Sequence, residues 1–271
     1  MTAPDPRFGG IARLYGHAAL ARLRHAHVCV IGLGGVGSWS AEALARSGLD
    51  ELTLVDLDDV CVTNINRQLH ALENTIGRPK VEALAERLRA INPALRVTPV
   101  TEFFTAATAE KIFAPRFEYV LDAIDNVANK ARLIAHCHAR QIPIITCGAA
   151  GGRRDPTALR LTDLARSSHD RLLAQVRKKL RAEHGFPGEP TLFNVPAVFS
   201  TEAPVSPQTL AADHDVAAAC NADLQTAADT HNGADANRRN CNSGLGSATF
   251  VTGAFGFAAA AHIVTALASG R

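Results

Sequence analysis

The sequence predicts an α/β fold, a doubly wound and mostly parallel sheet with a C-terminal strand and helix extension. Three observations carry this. Short apolar runs alternate with helical patterns through the first half of the chain. The run "VCVIG", residues 28–32, ends in glycine, as a strand buried on both faces should. The next run, "ELTLVD", ends in an acid, Asp56. With 271 residues, 47% of them hydrophobic, the chain can bury a sizeable core. A formal net charge of +2 confines any polyanion contact to a local patch.

The elements follow in order. Residues 37–47 read as a helix stopped by Gly48, and 51–56 as the second strand. Val81, Leu84, Leu88 and Ile91 keep helical spacing over 79–91, and "LRVTPV" follows as a strand. "YVLDAID" and "IPIITCG" are two more buried strands around a helix near 127–139. The segment 203–242 is rich in Ala, Asn, Asp and Thr without periodicity, and reads as a flexible loop. From Asn240 to Gly270 no residue is charged. The stretch "SATFVTGAFGFAAAAHIVTALAS" is long enough to span a membrane. Gly253, Gly256, His262 and the missing basic and aromatic anchors favour a buried strand–turn–helix instead.

Six cysteines fall in no CxxC pair, so no zinc ribbon is expected. "MTAPDPRFGG" carries no basic and apolar leader pattern, and three cysteines sit in apolar runs, which reads as a cytoplasmic protein with reduced thiols. Membrane attachment through the C-terminal stretch is the less favoured reading.

Gly32, Gly34, Gly35 and Gly37 form GxGGxG between the first strand and the first helix. Glycines suit a tight turn in which phosphate oxygens approach bare backbone N–H groups at a helix N-terminus. Asp56, ending the next strand, can take a ribose hydroxyl. The pattern makes the fold Rossmann-like and residues 1–152 its nucleotide-binding part. Residues 153–271 then supply the substrate-binding part and the C-terminal extension of the same domain. Whether the nucleotide is a nicotinamide dinucleotide or ATP stays open at this loop.

The residues after Asp56 favour ATP. "LDDVCVTNINRQLH" places Asp58, Asn64, Asn66, Arg67 and Gln68 beside the ribose site, where a dehydrogenase has little use for them. Arginine offers a fixed fork to phosphate, and Lys80 at the next helix start a point charge. "LDAIDN" places Asp122, Asp125 and Asn126 after another strand, and carboxylates there suit Mg²⁺. Singly, Arg67 and Lys80 could be solvated cations and Asp125 a helix N-cap. Jointly, their order argues for ATP.

The string "GLGGVGS…LVDLDDVCVTNINRQ…K…LDAIDN" resembles the ubiquitin-activating-enzyme-like superfamily that includes ThiF and MoeB. The resemblance implies a homodimer that adenylates a carboxylate with ATP and Mg²⁺. It implies Gly34 and Gly35 at the phosphates and Asp56 on the ribose. Asn64, Arg67 and Lys80 would contact the phosphates, and Asp125 would hold Mg²⁺. Arg7 in "RFGG" would reach across the dimer, with Arg13 the weaker candidate. "GRRDPTALRLTDLA", "VFSTEA" and "NCNSGLGSATFVTGAFGF" are similar to one branch, the tRNA threonylcarbamoyladenosine dehydratases. That branch implies cyclisation of a modified adenosine beside the tRNA anticodon. The alternative is adenylation of a ubiquitin-like or sulfur-carrier protein.

Two features stand apart from the motif set. "RSSHDRLLAQVRKKLR", 166–181, carries cations outside an apolar stripe of Leu172, Leu173, Val176 and Leu180. Arg177, Lys178 and Lys179, with Arg153 and Arg154, are candidate RNA contacts; the plain alternative is a solvated helix face. Cys241 in "NCNSG" is the one thiol in a loop pattern, more readily a bystander than a nucleophile. A sulfur-transfer or cysteine-desulfurase system is a further candidate partner.

Overall fold

A computed structural model describes residues 5–205 and 245–270. Two short helices, α1 (Gly9–Tyr15) and α2 (His17–His25), precede β1 (His27–Ile31) and α3 (Gly35–Arg46). Next come β2 (Glu51–Val55), α4 (Lys80–Ile91) and β3 (Arg96–Val100). A one-turn α5 (Ala109–Ile112) leads to β4 (Tyr119–Asp122), α6 (Val127–Ala139) and β5 (Ile144–Cys147). The remainder is β6 (Leu159–Asp163), α7 (Arg171–Glu183), β7 (Pro196–Ser200) and α8 (Thr249–Ser269).

The strands form one seven-stranded sheet in the order β3-β2-β1-β4-β5-β7-β6. All neighbours are parallel except β6 and β7. The chain winds outward from β1 to β3, then returns to place β4 on the other side of β1. That reversal leaves a crevice beyond the carboxyl ends of β1 and β4, where such sheets take ligands.

Alternation along the strands divides the core. Val28, Val30, Leu52, Leu54 and Leu121 pack under α3, α4 and α8 on one face. Cys29, Ile31, Val55 and Val120 pack under α5, α6 and α7 on the other. Asp170 caps α7, its carboxylate accepting from Leu173 N at 2.9 Å. Leu173, Val176 and Leu180 of α7 are buried as their spacing predicts.

The C-terminal stretch corrects one expectation. In place of a strand and a turn ahead of a helix, Thr249–Ser269 is a single helix, and the described residues 245–248 form no strand. It is long and apolar enough to cross a membrane, yet half of its most apolar window is buried inside the molecule. Gly253 and Gly256 do not break it, because Gly256 is what lets α8 touch α3. A Cβ at Gly256 would stand 2.7 Å from Val36 O and 2.9 Å from Trp39 Cβ. Ser40 Oγ donates to Gly256 O at 3.1 Å across the same contact, and His262 is hydrogen-bonded to Tyr119 Oη at 3.0 Å.

Candidate functional site

Three loops meet in the crevice, those after β1, β2 and β4. Gly32 ends β1 at φ +90°, a region that favours glycine, and a Cβ there would lie 2.9 Å from the Ala123 backbone. A Cβ at Gly37 would fall 1.9 Å from Gly32 O, so the turn closes on itself. Gly34 differs: a side chain there would meet nothing within 4 Å. Its backbone is open at the start of α3, where N–H groups lack helical partners. Gly35 has a packing reason as well, since its Cβ would stand 2.9 Å from Thr252 Cγ2 of α8.

Asp56 is buried and holds the turn. Its Oδ2 accepts from Leu33 N at 2.6 Å and its Oδ1 from Asp58 N at 2.9 Å. Burial pushes its pKa above the ordinary carboxylate value, and the Lys80 ammonium pulls it partly back. Lys80 Nζ lies 2.8 Å from Asp58 Oδ2. The lysine side chain is only 7% exposed and the aspartate 54%, so the ion pair has one dry and one wet partner.

Between Asp58 and Lys80 the chain folds into short turns. Asn64 is buried, and its Oδ1 accepts from Cys61 N at 3.1 Å, shaping the 61–64 turn. The Arg67 backbone is fixed, its carbonyl accepting from Trp39 Nε1 at 3.1 Å and Thr252 Oγ1 at 3.3 Å. The Arg67 guanidinium donates to Thr63 O at 2.6 Å and Asn66 Oδ1 at 2.9 Å. Asn66 Nδ2 in turn reaches Ser247 O at 2.8 Å, which ties this loop to the start of α8.

His70 is the residue that sequence reasoning passed over. It is 1% exposed, and neither ring nitrogen has a hydrogen-bond partner among the described residues. Burial, with Lys80 nearby, pushes its pKa down to about 3. Its burial is a product of the fold, which no local pattern in the sequence marks.

The β4 loop corrects the expectation for Asp122. That side chain is fully buried and turned into the fold, 3.0 Å from Lys130 Nζ. It also accepts from Thr146 Oγ1 at 2.7 Å and Ile124 N at 3.0 Å, leaving it no path to a ligand. Burial holds its pKa above the ordinary carboxylate value. Asp125 is exposed on the same loop. Asn126, rather than Asp125, is the N-cap of α6, accepting from Asn129 N at 2.9 Å, so its side chain is engaged in the helix start.

Other candidates lie apart. Arg7 is paired with Asp5 at 2.7 Å next to Phe8, whose ring packs by Gly48 at the end of α3 far from the glycine turn. It is therefore at the opposite end of the sheet from its own chain's crevice. Arg153 is 4% exposed and donates to His169 O at 2.9 Å, which removes it from the solvent-facing surface, whereas Arg154 is exposed. On α7, Arg177 is half-buried and bonded to Ser167 Oγ, and Lys179 pairs with Glu183 at 2.5 Å. Lys178 is exposed. Cys241 and most of 203–242 lie outside the described residues.

Comparison with known proteins agrees with this geometry. The sequence pattern of the ThiF family matches residues 10–270. The chain is 48% identical over 257 residues to the tRNA threonylcarbamoyladenosine dehydratase of Escherichia coli, covering 94% of this chain and 91% of that one. A crystal structure of the Escherichia coli enzyme in complex with ATP superimposes with a TM-score of 0.81, covering 97% and 94% of the two chains at 43% identity. The molybdopterin-synthase adenylyltransferase of Escherichia coli is 38% identical, but over only 47% of this chain and 51% of its own. The chain therefore belongs to the ThiF family, and over nearly its whole length it is similar to relatives named tRNA threonylcarbamoyladenosine dehydratases.

Proposed function

We propose that this chain catalyses the ATP-dependent dehydration of threonylcarbamoyladenosine in tRNA. The observation that carries the reading is the buried Lys80 ammonium beside the Asp56 loop, with the Arg67 fork on the segment that joins Asp58 to Lys80. A polyphosphate substrate uses such cations, and a redox dinucleotide has little need of them. Relatives named for this dehydration match nearly the whole chain, and their structures are described in complex with ATP and with AMP.

In this reading the open backbone at Gly34 takes phosphate oxygens and Asp56 takes a ribose hydroxyl. Asn64 shapes the turn from which Arg67 releases Thr63 O to grip the phosphates. Lys80 exchanges Asp58 for the same charge. The substrate's threonine carboxylate attacks the α-phosphorus of ATP, and pyrophosphate leaves. The ureido nitrogen then attacks the acyl carbon, losing its proton, and AMP leaves with the former carboxylate oxygen. The two steps remove one water at the expense of one ATP. Ring closure within one molecule gains from proximity, worth several kcal/mol. No enzyme nucleophile is required.

Mg²⁺ fits the donor set. Among the described residues no three His, Cys, Asp or Glu side chains cluster as a protein-only metal site. Asp125 offers a single carboxylate at the crevice, and Mg²⁺ usually combines one or two carboxylates with substrate phosphates and water. Bound there, the ion would neutralise phosphate charge. Arg7 cannot serve its own crevice, which supports a homodimer in which it serves the other copy's. Action on tRNA supports a cytoplasmic location.

The reading is tested by pyrophosphate release with ATP and Mg²⁺. Release that depends on tRNA bearing the modified nucleoside supports it. Release that depends on an added sulfur-carrier protein, with none from tRNA, would replace it by carrier adenylation.

A further inference from the structure

Lys130 has no part in the mechanism above, yet it is among the largest fully buried side chains of the described residues. It sits on the first turns of α6, and both it and its partner Asp122 are wholly shielded from solvent. A buried ammonium is tolerated only when its three N–H groups are met. Here the three acceptors are Asp122 Oδ2 at 3.0 Å, Ile124 O at 2.9 Å and Asp122 O at 3.4 Å.

The identity of those acceptors matters. Two are backbone carbonyls of the β4 loop, and Ile124 is the residue immediately before Asp125. The carboxylate of Asp122 reaches the same loop from the other side by accepting from Ile124 N at 3.0 Å, while Thr146 Oγ1 ties it to β5 at 2.7 Å. Ala123, between them, donates its N–H to Ile31 O at 2.9 Å and lies against Gly32 of the glycine turn. The pair thus fixes both peptides preceding Asp125, in height and in tilt, against the floor of the crevice.

Stability alone is a poor reason for such a pair. Replacing a buried ion pair by apolar groups of like volume is often neutral or stabilising. Ordering a ligand-bearing loop is a reason that apolar groups do not satisfy.

We propose that Lys130 is a positioning residue, whose ammonium, clamped between Asp122 and Ile124 O, sets the Asp125 carboxylate where it meets the divalent cation of the bound nucleotide. The proposal rests on the reading of Asp125 as the cation's protein ligand. Lys130 touches neither substrate; it acts through the loop.

The test uses the full-length protein, Mn²⁺ as a spectroscopic stand-in for Mg²⁺, and ATP. Lys130→Met alone leaves Asp122 buried without its counterion and could unfold the chain. The paired variant Asp122→Leu with Lys130→Met removes both charges and preserves the packing volume. Its thermal midpoint and its metal-free AMP affinity should stay near the parent's. Its Mn²⁺ affinity in the ATP complex, read by electron paramagnetic resonance, should fall about tenfold or more. Lys130→Arg, which keeps a cation near the carbonyls, should recover part of that loss. Unchanged Mn²⁺ affinity in the folded paired variant would overturn the proposal.

Asp125→Asn separates the two ideas. If it weakens Mn²⁺ in the parent but adds nothing in the paired variant, the clamp and the ligand act as one unit. Full additivity would overturn the clamp while leaving Asp125 as ligand. No effect in the parent would overturn the ligand reading, and the clamp's role with it.

Discussion

Lys80 and Asp58 form an ion pair of 2.8 Å in which the cation is buried and the anion faces water. Burying an ammonium is costly, so its counterion cannot be lost without a replacement. In the proposed reaction the replacement is a phosphate. Lys80→Ala should therefore lower kcat/KM at least about a hundredfold. Asp58→Asn should lower the melting temperature of the free protein while ATP raises it by more than in the parent, measured by thermal shift. An ATP shift no larger than the parent's would contradict the exchange.

Arg67 is anchored through its backbone, while its guanidinium rests on Thr63 O and Asn66 Oδ1. Trp39 and Thr252 hold its carbonyl, so Arg67→Ala should keep the loop in place while removing the guanidinium. AMP formation should fall by about two orders of magnitude, with tRNA affinity little changed in a filter-binding assay. Unchanged turnover would remove Arg67 from the phosphate site.

His70 gives the protein an acid-sensitive joint. Its ordinary value near 6.5 is depressed to about 3, because burial disfavours the imidazolium. The stability from this group is therefore fully present above pH 6.5 and is lost as pH falls toward 3. The raised pKa values of Asp56 and Asp122 act in the opposite sense, favouring the fold at low pH and losing that contribution as pH rises through them. Denaturant unfolding across this range should show a slope of up to about 1.4 kcal/mol per pH unit from His70. His70→Leu should flatten it; identical slopes would show that the ring is not the titrating group.

Gly256 tests the placement of α8. With Val36 O 2.7 Å from the would-be Cβ, Gly256→Ala forces α3 and α8 apart and should cost about 1–3 kcal/mol. A variant as stable as the parent would mean that the two helices do not pack this closely in solution.

On α7 the structure sharpens the RNA expectation. Of the three candidates on α7, Arg177 and Lys179 already hold Ser167 and Glu183, and Lys178 is exposed. Lys178→Ala should weaken tRNA binding and reduce the salt slope by about one. If neither changes, that face is solvated surface.

Most elements from β1 to β5 were legible, because β1, β2, β4 and β5 are short apolar runs and α4 keeps a helical period, whereas α1, α2 and the one-turn α5 were not. β6 was not, since it is an edge strand in which Arg160 and Leu161 are exposed, and β7 was missed with it. The one-helix form of α8 was hidden because its glycines report a neighbouring helix, which local pattern cannot show. At the site, the order of Asp56, Arg67, Lys80 and Asp125 was readable. The inward turn of Asp122 was not, because its partners Lys130 and Thr146 are brought to it only by the fold.

Everything in the crevice is read as serving one conversion. The direct measurement is mass spectrometry of nucleosides from tRNA carrying threonylcarbamoyladenosine, incubated with the protein, ATP and Mg²⁺. The modified adenosine should lose the mass of one water, with AMP formed in equal amount. An unchanged nucleoside mass, with AMP absent in the presence of that tRNA, would contradict the account.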